Sequence, residues 1–99
     1  MNSNNIISFA GFKCKVTKKH YSNKRIALEL IDCIDGDSVA VATINLPDVD
    51  MKPDEVAIKD YSENEGMLDI LIAADIISQP IMFVRSGFIN VPICKLLMI

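Results

Sequence analysis

Hydrophobic and polar residues alternate in short blocks along this chain, and the period of each block predicts the element it forms. Between Phe12 and Lys18, the residues Phe12, Cys14 and Val16 alternate with Lys13, Lys15 and Thr17. That period of two predicts a strand with one face in water. Ile6 to Phe9 reads as a shorter strand before it, broken near Ala10-Gly11, and Asn2 to Asn5 reads as a polar, frayed end. His20-Tyr21-Ser22-Asn23 supplies turn residues. Arg25 to Ile31 then returns with Ile26, Leu28 and Leu30 apolar, so a hairpin is the simplest connection.

Asp35-Gly36-Asp37 is the sharpest turn signal, because glycine accepts the positive φ of a tight hairpin and aspartate bonds nearby backbone. Val39 to Leu46 follows as a strand. Pro47, Asp48, Asp50 and Pro53 interrupt any ladder or helix, and Glu55 to Lys59 reads as a short extended segment. Ser62-Glu63-Asn64-Glu65 fits a capping box, with the Ser62 hydroxyl on the third helical amide and Glu65 reaching back. The helix predicted after it runs from about Glu63 to Ala74. Met67, Leu68, Leu71, Ile72 and Ile76 form its buried stripe, and Asp69 and Asp75 stay outside. Ser78-Gln79-Pro80 is expected to stop it. Ile81 to Val84 and Phe88 to Leu97 complete the pattern as strands around Arg85-Ser86-Gly87, with Pro92 suited to an edge or a bulge.

The order β-β-β-β-α-β-β predicts one small α+β domain over residues 1–99. Its mostly antiparallel sheet, of about five to six strands, would pack on a single helix. Composition agrees with one domain: 99 residues, 51% hydrophobic and 23% charged, suffice for one modest core. With 6% aromatics and no Trp, that core is aliphatic. Cys14, Cys33 and Cys94 form no C-x-x-C pair and lie in apolar runs, which predicts reduced core residues. No signal-peptide pattern or long apolar run is present, so a cytoplasmic protein without a membrane span is expected.

A net charge of -3 disfavours general nucleic-acid binding. Lys13, Lys15, Lys18, Lys19, Lys24 and Arg25 nevertheless form a stretch without an acid, either a solvated hairpin or a surface that steers an anion. His20 is the lone histidine and the acids lack calcium-loop spacing, so no metal site is expected. Glu63 and Glu65 point to different sides of a helix and make a poor acid and base pair. No Gly-x-Gly-x-x-Gly or Walker A pattern appears, and neither an enzyme nor a cofactor is predicted.

Polar groups concentrate from Lys59 to Gly66, at a junction of strand and helix where unpaired amides face outward. The candidate ligand-binding residues are Lys59, Asp60, Tyr61, Ser62, Asn64 and Arg85. Lys59, Tyr61, Ser62 and Asn64 offer donors, Gly66 allows close approach, and the planar guanidinium of Arg85 suits phosphate or carboxylate. The alternative is structural: a well-capped helix start, with Arg85 an exposed turn residue or a partner for Asp60 or Glu65.

Val56-Ala57-Ile58-Lys59-Asp60-Tyr61-Ser62-Glu63-Asn64-Glu65-Gly66-Met67 resembles the signature stretch of a domain-of-unknown-function family of small bacteriophage and conjugative-element proteins. The similarity extends from Val41-Ala42-Thr43-Ile44-Asn45-Leu46-Pro47 through the helix to Arg85-Ser86-Gly87-Phe88 and Val91-Pro92-Ile93-Cys94-Lys95-Leu96, over half the chain. The resemblance implies an accessory role in a mobile element, in the cytoplasm of a bacterial host, including interference with host defence.

Two functions follow as expectations. One is a non-enzymatic counter-defence protein that binds a small anionic ligand, such as a nucleotide immune signal, at the candidate residues. The other is a protein-interaction module that inhibits a host defence protein through an acidic surface or a sheet edge. The apolar end Lys95-Leu96-Leu97-Met98-Ile99 predicts an edge strand, tucked in or paired with a second subunit as a homodimer.

Overall fold

The computed structural model describes residues 5–98. Of the expected frayed end at Asn2 to Asn5, residues 2–4 lie outside the described residues, as does the terminal Ile99, whereas Asn5 is tied down: its carbonyl accepts Val16 N–H at 2.9 Å. The rest is the predicted α+β fold, mostly antiparallel sheet with one helix, although the strands divide between two sheets. In the first, β1 (Ile6–Phe9), β2 (Phe12–His20), β3 (Ile26–Asp32) and β4 (Ser38–Val41) pair in chain order, each antiparallel to the next. After β5 (Glu55–Ala57) come a 3-10 turn at Ser62–Asn64 and the helix α1 (Met67–Ala73). The second sheet has the order β5-β7-β6, with β6 (Met82–Ser86) at an edge and β7 (Ile89–Lys95) in the centre.

The alternation read in β2 is realised: Cys14 and Val16 are buried while Lys13 and Lys15 are exposed, although Phe12 at the strand's start is about half exposed. Gly36 adopts φ 78, and Asp35 Oδ1 accepts the Asp37 N–H at 3.0 Å, so the turn before β4 is built as its sequence predicts. The two sheets are joined by backbone between residues 42–44 and 57–59. Ile44 N–H donates to the Ala57 carbonyl, Lys59 N–H donates to the Ala42 carbonyl, and Thr43 bridges Ile58. This junction shortens the expected Val39 to Leu46 and Glu55 to Lys59 strands, because their ends leave their sheets to bond one another.

The principal core lies between the four-stranded sheet, α1 and one face of the smaller sheet, and includes Val16, Leu28, Leu30, Ile58, Met67, Leu71, Ile76 and Cys94. Full burial of Met67 and of Leu71 contributes about 1.5–3 kcal/mol each relative to exposure. A second cluster of Ala57, Val91 and Ile93 covers the opposite face of the small sheet, where Ile44, Leu46 and Met51 pack on it.

Four expectations are corrected. The helix is shorter than Glu63 to Ala74, because the chain before Met67 is used in a 3-10 turn and a glycine at φ 95. It ends by a left-handed residue, not at Pro80: Asp75 (φ 59) donates to Ile72, Ile76 N–H donates to Leu71, and Ile76 is buried. Pro92 lies in the central strand β7. Its carbonyl accepts Ile58 N–H at 3.0 Å, so the donor it lacks falls where β5 has ended. Cys33 is exposed beyond β3, whereas Cys14 and Cys94 are buried, because the apolar run around Cys33 crosses a turn.

At the apolar C-terminal end Leu96 is tucked in, whereas the Leu97 side chain is about half exposed. Leu96 bridges Ile77 and is buried, and Leu97 N–H donates to the Ile76 carbonyl. No helix among the described residues is long and apolar enough to cross a membrane.

Candidate functional site

After β5 the chain crosses between the sheets and turns into α1, and most polar groups in that crossing are engaged by the fold. Asp60 Oδ1 accepts the N–H groups of Gly66 (3.1 Å) and Leu68 (2.9 Å). Asp60 is therefore the side-chain cap of α1. The capping box expected at Ser62 and Glu65 is absent: neither Tyr61, before the 3-10 turn, nor Gly66, before α1, contributes a side-chain cap, and Glu65 is exposed. Ser62 instead adopts φ 55, a left-handed conformation that costs a non-glycine residue energy, and its carbonyl accepts Glu65 N–H at 3.2 Å.

Asn64 is buried and donates through Nδ2 to the Val41 carbonyl at 2.7 Å. Lys59 pairs with Glu63 at 2.6 Å, and its ammonium lies 5.6 Å from the centre of the Tyr61 ring. Hydrogen bonding between Lys59 and Glu63 raises the lysine pKa and lowers that of the glutamate. Five of the six candidates therefore cluster by sequence. Of these, Asp60 and Asn64 hold α1 to the rest of the fold, and Lys59 is neutralised by its own neighbour.

Arg85 stands apart, exposed on the edge strand β6, with Nε donating to the Gly87 carbonyl at 3.1 Å. No ion pair among the described residues joins it to Asp60 or Glu65. Its neighbours are apolar and open. Ile81 and Phe83 are 56% and 61% exposed, and Phe88, in the two-residue turn to β7, is 98% exposed. Phe83 lies opposite Pro92 and Arg85 opposite Asn90, so Phe83 and Arg85 share one face of β6. Because the Pro92 carbonyl points to the β5 side, the alternation of the ladder turns the N–H groups of Phe83 and Arg85 toward the open edge.

Two surface hollows lie elsewhere. One of about 320 Å³ is lined by residues that include Lys24, Arg25, Ile26, Met51, Lys52 and Glu55. The other, of about 290 Å³, contains Asp32, Asp35 and Asp37, but Asp32 Oδ1 accepts Ile34 N–H and Asp35 Oδ1 accepts Asp37 N–H. None of the six candidate residues lines either hollow. No group of three or more His, Cys, Asp or Glu among the described residues is arranged to hold a metal.

No family model, curated protein or solved structure matches this chain. The sequence reading missed the exposed apolar edge around Arg85, although Phe83 and Phe88 flanking a turn beside Arg85 were a visible signal.

Proposed function

We propose that the protein is a non-enzymatic interaction module that takes an extended segment of a partner protein onto the open edge of β6. The observation that carries this reading is the coincidence of a strand edge with no partner strand among the described residues and exposed Ile81, Met82, Phe83 and Phe88. Such edges are ordinarily blunted by lysine, proline or a covering element, yet β6 itself, Met82-Phe83-Val84-Arg85-Ser86, carries one arginine and no proline. An added strand would receive hydrogen bonds from the edge amides. Its side chains would place an apolar residue against Phe83 and a carboxylate against Arg85.

Ligand capture at Lys59 to Asn64 is the weaker reading, because Lys59, Asp60 and Asn64 already bond within the protein. The resemblance of Val56 to Met67 to mobile-element proteins extends the proposal to its setting: the partner is a host defence protein, met in the bacterial cytoplasm.

The test is capture from host extract with crosslinking to locate the contact. Crosslinks should fall on Ile81 to Phe88 and disappear in Phe83→Pro, which removes an outward-facing N–H and leaves the ladder to β7 in place. Arg85→Glu should weaken capture. Crosslinks elsewhere, or capture indifferent to Phe83→Pro, would overturn the proposal. A homodimer that Phe83→Pro dissolves would make a second copy of the chain the occupant, against the proposed partner.

A further inference from the structure

We propose that the hollow between the β2–β3 turn and the loop before β5 binds a phosphate monoester with a small apolar body, gripped by Arg25 and flanked by Lys24 and Lys52. None of the residues lining this hollow belongs to the β6 edge.

Arg25 is half-buried and its Nη2 donates to the Val49 carbonyl at 2.5 Å. Its Nη1 is buried and has no hydrogen-bond partner among the described residues. A guanidinium presents five N–H donors in a rigid fork, and leaving one buried nitrogen without an acceptor is unfavourable. No carboxylate among the described residues compensates the charge: the ion pairs are Lys19 with Glu29, Lys59 with Glu63, and Lys95 with Asp54. Phosphate in the hollow would supply the counter-charge, and it would supply the acceptor once the guanidinium turns Nη1 out of its buried position toward the ligand.

The rest of the lining fits the same ligand. Lys24, Arg25 and Lys52 oppose one acid, Glu55, whose Oε1 accepts the Lys52 N–H at 2.9 Å. The excess of two positive charges matches a phosphate dianion better than a carboxylate, and it stands on a chain whose net charge is -3. Ile26, Met51 and Pro53 supply an apolar wall, and about 320 Å³ is the size of a small-molecule cleft. The turn is also held in place, since Asn23 accepts Arg25 N–H through Oδ1 and donates to Asn45 through Nδ2.

Backbone amide NMR titration with phenyl phosphate tests the site, with inorganic phosphate as the probe lacking an apolar body. Saturable shifts should be confined to residues 23–26 and 51–55, and phenyl phosphate should bind more tightly than phosphate. Arg25→Gln, which keeps a donor for Val49, should abolish them. The exposed pair Lys24→Asn and Lys52→Gln should weaken binding about tenfold without altering the fold, and so keeps the test valid if Arg25→Gln unfolds. No localised shift at millimolar phenyl phosphate, or equal affinity in the double variant, would overturn the proposal.

Discussion

The side-chain amide of Asn64 donates to the carbonyl of Val41 at 2.7 Å, tying the turn before α1 to the last residue of β4. Asn64 is 1% exposed, so its side-chain amide has no access to water in place of this bond. Asn64→Leu should destabilise the protein by about 1 kcal/mol, the net worth of one part-buried hydrogen bond. Asn64→Asp should do worse near neutral pH, because an ionised carboxylate cannot donate. Its folded pKa would be raised, so its deficit is smallest below the ordinary aspartate pKa and grows as pH rises above it. Urea unfolding at acidic and neutral pH measures both.

The cap of α1 makes a second contrast. Asp60→Ala removes the acceptor of two helix-start amides and should cost about 1–2 kcal/mol. Ser62→Gly should instead stabilise by about 0.5–1 kcal/mol, because glycine accepts φ 55 without strain. Were the Ser62 and Glu65 capping box the true cap, Ser62→Gly would gain nothing. Denaturation midpoints of the two variants decide between the arrangements.

Thiol reactivity should separate the cysteines. Cys33 is exposed, whereas burial pushes the Cys94 thiol up to about 11 and raises that of Cys14, which the charges of Asp32 and Cys33 raise further. A disulfide reagent at mildly alkaline pH should modify Cys33 at once and reach Cys14 and Cys94 only after unfolding. Mass mapping of the native protein reads the outcome.

Acid should weaken the fold through Glu29 and Glu63. Hydrogen bonds from Lys19 and Ser38 lower the Glu29 pKa, and Lys59 lowers that of Glu63. Depressed carboxylates contribute stability above their unfolded pKa and lose it as pH falls through the folded one. Urea midpoints should therefore be level from neutral to mildly acidic pH and drop on further acidification. Glu29→Gln should reduce that drop.

Much of the fold was legible because its signals are local. The alternation at Cys14 and Val16, the turn at Asp35-Gly36-Asp37 and the stripe of Met67, Leu68, Leu71 and Ile72 each act within a few residues. The candidate site was legible only as a concentration of polar groups. Whether Lys59, Asp60 and Asn64 face a ligand depends on which donors and acceptors folding brings to them, and Asn64 meets a carbonyl 23 positions away.

The sequence by itself determined the element types, the stripe of α1 and the class of the fold, since period and turn chemistry are properties of neighbouring residues. Tertiary structure alone decided the division into two sheets, the cap at Asp60 instead of Ser62, and the unpaired nitrogen of Arg25 beside Val49. Those outcomes are set by hydrogen-bond satisfaction and burial between segments far apart in the chain, and no local pattern encodes them.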